Sequence, residues 1–174
     1  MPSAAFLYTS PDRVLYCGPL GQPLPRVFGA TVCYAGLKGR LRWAIGQAGA
    51  GACAEEEGRG DTLVLPPGVT HQVAVSHGPV LCYLVEPEFS AWPDPLPRSL
   101  AAPTLNGLDA WRERLLGLSG AELAKWQVDA AARACGLDAQ LDRLVLGQSL
   151  SSRVLDARIA DVVQRVRADP AIAW

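Results

Sequence analysis

Up to about Pro87 the sequence is punctuated by glycine and proline, and between these breaks it is rich in valine, leucine and aromatic residues. No other feature constrains the fold as strongly. Proline fixes φ and lacks a backbone donor, while glycine weakens a helix, so such a chain builds short strands joined by turns. Candidate strands are Val27–Tyr34, Arg40–Ile45, Thr62–Leu65, His71–Val75 and Val80–Val85. Between Arg40 and Ile45, Leu41, Trp43 and Ile45 face one way and Arg40 and Arg42 the other, the period of two that marks a half-buried strand. On His71–Val75 the same period puts His71, Val73 and Val75 on one face, directed toward an interior. Ser76-His77-Gly78-Pro79 reads as the turn joining two antiparallel strands. Several short strands of this kind imply a sandwich or barrel.

After Pro87 the pattern changes. Glu86 to Pro103, EPEFSAWPDPLPRSLAAP, holds too many prolines for a helix or a central strand and reads as a connector, with Phe89 and Trp92 packing against the strands. Helical spacing follows. Ser119 and Glu122 form a capping box for a helix carrying Leu123, Trp126, Ala130 and Ala134, which Gly136 stops. Leu137, Leu141, Leu144 and Val145 stripe a second helix. Asp156 caps a third, with Ile159, Val162, Val163 and Val166 on one face, Arg158, Arg165 and Arg167 beyond it, and Pro170 at its end. The expected class is α+β. Its parts are a β unit over 1–87, a connector over 88–103, a helical segment over 104–154 and a final helix over 155–174.

Hydrophobic residues make up 49% of the chain and charged residues 19%, enough apolar surface for a sizeable core. The formal net charge of −1 supplies no cationic face for gripping nucleic acid. Cysteines stand at 17, 33, 53, 82 and 135, an odd number at wide gaps, which argues against a disulfide framework or a structural zinc site. The start, MPSAAFLYTSPDR, lacks the basic region and apolar stretch of a secretory signal, and no run reaches the roughly eighteen apolar residues of a membrane span. A cytoplasmic protein without membrane contact is expected. Gly49-Ala50-Gly51-Ala52-Cys53-Ala54 fits a dinucleotide fingerprint, but Gly58 and Gly60 break the helix that would receive a pyrophosphate. Glu55, Glu56 and Glu57 read as a solvated loop. Neither a nucleophile elbow nor an H-E-x-x-H helix occurs, so the expected protein is not an enzyme and uses no cofactor.

Gly60, Pro66, Gly68 and His71 reproduce G-x5-P-x-G-x2-H, which resembles the second motif of the cupin superfamily of small β-barrels. The physics agrees with that placement, because Pro66-Pro67-Gly68 forces a tight reversal before the strand that carries His71. Two departures stand out. Val75 occupies the place of the family's asparagine, and the first motif, with two histidines and a glutamate, is missing from a chain that holds only His71 and His77. A catalytic metal needs about three protein ligands, so the resemblance implies a degenerate, metal-free, cupin-like β-barrel or sandwich followed by a C-terminal helical segment. Trp43, His71, Tyr34 and Tyr83 are the candidate pocket residues, an aromatic wall with a few polar groups that suits a small, partly apolar ligand.

The final stretch, LDARIADVVQRVRADPAIAW, resembles the opening of the DNA-binding region in AraC-type transcription regulators. The order of parts is also similar to that family's amino-terminal effector region. The resemblance implies a small-molecule effector in the barrel, a homodimer built on the C-terminal helices, and DNA contact only through helix-turn-helix units absent from this chain. Two other classes stay open: a small cupin enzyme such as an isomerase or dioxygenase, and a stand-alone ligand-binding protein.

Overall fold

The computed structural model describes residues 5–9, 12–46, 56–88, 92, 96, 139, 142–143, 145–151 and 154–168. The helix expected from Ser119 to Cys135, the Gly49–Ala54 segment, Phe89, Leu137, Leu141, Leu144 and Pro170 lie outside the described residues.

The described strands are β1 (Phe6–Thr9), β2 (Arg13–Gly18), β3 (Thr31–Gly36), β4 (Leu41–Ile45), β5 (Glu56–Gly60), β6 (Thr62–Leu65), β7 (His71–Val75) and β8 (Val80–Val85). They form two sheets, one ordered β1-β2-β8-β3-β6 and one ordered β5-β4-β7, with every pairing antiparallel. The result is a two-sheet sandwich, not a closed barrel. A helix, α1 (Ala157–Ala168), lies near the C-terminus, residues 142–143 and 145–146 are also helical, and no described helix is long and apolar enough to cross a membrane.

The core lies between the sheets. Val32, Tyr34, Leu63, Leu65, Val80 and Cys82 from the larger sheet meet Leu41, Ile45 and Val73 from the smaller one. Each fully buried Leu, Ile or Val contributes about 1.5–3 kcal/mol relative to exposure. The other face of the larger sheet is covered too: Leu15, Cys17, Cys33, Leu81, Tyr83 and Val85 are no more than 2% exposed. Burial on both faces explains why β3 and β8 read as unbroken apolar runs, whereas β4 alternates.

Three expectations are corrected. The Ser76–Pro79 turn does not make a hairpin, because β7 pairs with β4 and β8 pairs with β2 and β3; the turn carries the chain from one sheet to the other. The segment holding Glu56 and Glu57 is strand β5, paired along its length with β4. The strand expected from Val27 begins only at Thr31, and Val27 itself is 58% exposed.

Candidate functional site

Gly68 adopts φ +79°, the left-handed conformation that ends the Pro66-Pro67-Gly68 reversal, and the chain then enters β7 at His71. His71 is 2% exposed and both ring nitrogens are engaged. Its Nδ1 lies 2.8 Å from the Val69 carbonyl oxygen and its Nε2 lies 2.9 Å from the Tyr34 hydroxyl. A carbonyl oxygen only accepts, so Nδ1 carries the proton; Nε2 then accepts from the Tyr34 O–H. Burial lowers the His71 pKa from the usual 6.5, opposed by the bond to Val69 and reinforced by the charge of Arg26. The imidazole is therefore neutral at pH 7, and the Phe28 ring packs against it at 5.7 Å between centroids.

The larger sheet places Tyr34. Tyr16, Cys82 and Tyr34 are Cα partners in one row across β2, β8 and β3, all facing the smaller sheet. Burial raises the Tyr34 hydroxyl pKa and pushes the Cys82 thiol up to about 12, so neither ionises near neutrality. The Cys17 thiol is likewise pushed up to about 11. The thiols therefore stay protonated and act as small apolar side chains.

Trp43 sits opposite Gly58 on β5, and a Cβ at Gly58 would come within 2.5 Å of the indole ring. The missing side chain is thus what lets the indole lie against the β5 backbone. Trp43 Nε1 is buried without a hydrogen-bond partner, a donor left unanswered on the inward side of β4.

Tyr83 lies elsewhere. It pairs with Cys33, one residue out of step with Tyr34, and so faces the opposite side of the sheet. There its hydroxyl donates to Asp142 at 2.7 Å, while Arg13 holds the same carboxylate with two bonds of 2.9 and 3.0 Å and the Leu150 N–H adds another of 3.0 Å. Arg13 and Asp142 are 3% and 1% exposed, and together they pin the C-terminal segment to the outer face of the larger sheet. Of the four expected pocket residues, Trp43, His71 and Tyr34 face the space between the sheets and Tyr83 does not.

Two polar residues escaped the sequence reading. Arg26 precedes β3 in an irregular stretch; its N–H bonds the His71 carbonyl at 2.8 Å and its carbonyl accepts the His71 N–H at 2.9 Å. That pairing sets its side chain beside the imidazole, but no strand pattern surrounds it in the sequence. Asp142 sits on a helical stripe where only the leucines signal anything. A groove of about 520 Å3 opens on the smaller sheet, lined by Arg42, Ala44, Glu57, Arg59, Gln72 and Ala74 together with Trp43 and Gly58, and it does not include Tyr34 or His71.

The resemblance of Gly60–His71 to a cupin motif raises the question of a metal. Among the described residues no three His, Cys, Asp or Glu side chains converge, and the free lone pair of His71 already accepts from Tyr34. Among the described residues the donors do not fit a three-ligand centre.

No family model and no curated protein sequence matches the chain. Several solved structures resemble it in part. The conserved SPY1581 protein of unknown function from Streptococcus pyogenes is 19% identical at a TM-score of 0.37, over 51% of this chain and 79% of that one. The ribosomal oxygenase YcfD from Escherichia coli is 20% identical at 0.34, over 62% of this chain and 29% of that one. HppE carrying CoII is 12% identical at 0.34, over 48% and 54%. Likeness at this level carries no activity to the present chain. It does correct one expectation: with an oxygenase among the structural neighbours, the assignment of this chain as not an enzyme does not stand.

Proposed function

We propose that the chain is the effector-sensing and dimerisation region of an AraC-type transcription regulator, taking a small molecule between the sheets of a degenerate cupin-like sandwich. The observation that carries this reading is α1. Asp156 caps it, its carboxylate accepting from the Arg158 N–H at 2.9 Å, so the helix starts where the resemblance to the opening of the DNA-binding region begins. Ile159, Val162 and Val166 are nevertheless 55%, 46% and 40% exposed, spaced along one face. A helix with that spacing normally buries the face, and a following DNA-binding domain would cover it. The unanswered Trp43 Nε1 supports a ligand between the sheets, since an acceptor on a bound molecule would satisfy it.

In this reading the effector has different affinity for two arrangements of the dimer and so biases the attached DNA-binding domains. DNA is reached only through those domains. Arg158 and Arg165 on α1 offer at most weak, salt-sensitive phosphate contact. The test is a mobility shift on the parent gene's promoter at physiological salt, with this chain and with the product of the whole gene. Specific retardation is expected of the whole product only. Specific binding by residues 1–174 alone, or none by the whole product with and without candidate effectors, would overturn the proposal.

A further inference from the structure

Among the described residues of the intersheet cluster, Arg26 is the one that carries charge. Its backbone pairs with His71, which pairs in turn with Ile45 of β4, so the three side chains share the inward face in one row. The guanidinium is half-buried, and its charge is felt by Tyr16, Tyr34, His71 and Cys82 together, which puts it in their midst. All four of these neighbours are neutral at pH 7. Among the described residues no ion pair reaches Arg26; Asp142, Asp61, Asp156 and Asp161 pair with Arg13, Arg40, Arg158 and Arg165. Its side chain donates to the Leu20 carbonyl at 3.2 Å and also reaches the Tyr34 hydroxyl.

A guanidinium offers five N–H donors in a planar fork, and most of these have no protein acceptor here. A half-buried cation with neutral neighbours is costly unless an anion answers it. The contrast with Arg13 sharpens the point, because the same residue type on the outer face of the larger sheet receives a bidentate carboxylate from the protein itself. Tyr16, Leu20 and Phe28 pack partly buried at the edge of the core beside Arg26, giving an apolar flank to whatever approaches the fork.

We infer that Arg26 is the anchor of an intersheet ligand site for a small organic monocarboxylate, whose two oxygens lie on the guanidinium fork and whose apolar body rests on Tyr16, Leu20 and Phe28. The inference rests on the reading that the sandwich takes a small molecule between its sheets, and adds the charge class of that molecule. A single carboxylate is specified because the cluster holds a single cation. No bond is made or broken; the contact is a charge-assisted pair of hydrogen bonds.

The test is titration calorimetry of the chain with acetate, hexanoate and benzoate, each beside its neutral counterpart ethanol, hexanol and benzyl alcohol. At least one carboxylate should bind saturably, and about ten-fold or more tighter than its alcohol. Arg26→Gln should lose that preference by a similar factor while Arg26→Lys keeps part of it, with circular dichroism showing each variant folded. Should Arg26→Gln fail to fold, Arg26→Lys and the acid–alcohol comparison on the unaltered chain still decide the matter. Equal binding of acid and alcohol, or unchanged carboxylate binding by Arg26→Gln, overturns the anionic class but leaves a ligand between the sheets. Failure of all six compounds to bind overturns the site and counts against the sensing reading itself.

Discussion

Tyr34 and Tyr83 sit on neighbouring strands of one sheet, both fully buried, and they do opposite things. Tyr83 closes a network in which one carboxylate accepts four bonds from three residues, with nothing exposed. Tyr34 donates to a neutral imidazole in a cluster that also holds a guanidinium without a carboxylate partner among the described residues and borders an unanswered indole N–H. The outer face of the sheet satisfies its polar groups internally, as a joint between parts should. The inner face leaves donors over, as a binding site should. A buried tyrosine therefore says little by itself, and the bookkeeping of its surroundings says a great deal.

The sharpest way to break this contrast is Asp142→Ala. It strands the Arg13 charge in a dry site, and a loss of about 3–5 kcal/mol in urea unfolding is expected. A loss below about 1 kcal/mol would mean that the joint is wet and that the outer face is no different from a surface ion pair.

Next comes the tyrosine pair itself. Tyr83→Phe removes a bond to a charged acceptor and should cost about 1.5–3 kcal/mol, whereas Tyr34→Phe removes one to a neutral nitrogen and should cost about 0.5–1.5 kcal/mol. Equal losses, measured by the same unfolding experiment, would erase the distinction between the two faces.

A smaller effect follows from His71. Its pKa is lowered in the folded state, so the unfolded chain binds the extra proton as pH falls. The contribution is complete above the unfolded value near 6.5 and is lost as pH drops through the lowered folded value. Stability measured from pH 7.5 down to 4.5 should decline in that window, and His71→Gln should flatten that part of the curve. A His71→Gln profile parallel to the unaltered one would show that the imidazole titrates freely.

The least perturbing change is on α1. Replacing Ile159 and Val162 by glutamine should alter stability by no more than about 0.5 kcal/mol, since both are exposed. Sedimentation at high micromolar concentration should find a dimer made by the C-terminal helices before and after the change. A monomer in the unaltered chain would count against the homodimer.

Much of the β unit was legible because its strands announce themselves by period and punctuation. Thr62–Leu65, His71–Val75 and Val80–Val85 fall where the sequence puts them, and the inward turn of His71 with Val73 follows from the period of two. What escaped did so for physical reasons. β5 is Glu-Glu-Gly-Arg-Gly, poor strand material by propensity, and is held as an edge by pairing with β4 and by the Trp43 ring on its glycines. β2 carries an arginine at a buried position, which disguises its alternation until Asp142 supplies the counter-charge. The turn after Val75 signals reversal but cannot say which sheet the next strand joins. The same gap misdirected Tyr83, whose side depends on pairing with Cys33 and not on its own neighbours in sequence. Arg26 belongs to a lone bridge and has no periodic signal at all.

The position of β8 has a consequence for how the molecule is made. β2 and β3 both take β8 as a partner, in registers that run from Arg13 to Val85 and from Thr31 to Val85. During synthesis the first two strands can form a ribbon but cannot join the rest until Val85 has left the ribosome. A two-stranded ribbon is marginal alone and presents an open edge. The nascent chain therefore passes through an interval in which β2 has only β1 and β3 has only β6 beside it, each with one edge left open. Pairings of such long reach also close slowly once available. Pulse-labelled chains arrested just before and just after β8 has emerged should differ abruptly in protease resistance, and the shorter ones should be the clients of holding chaperones.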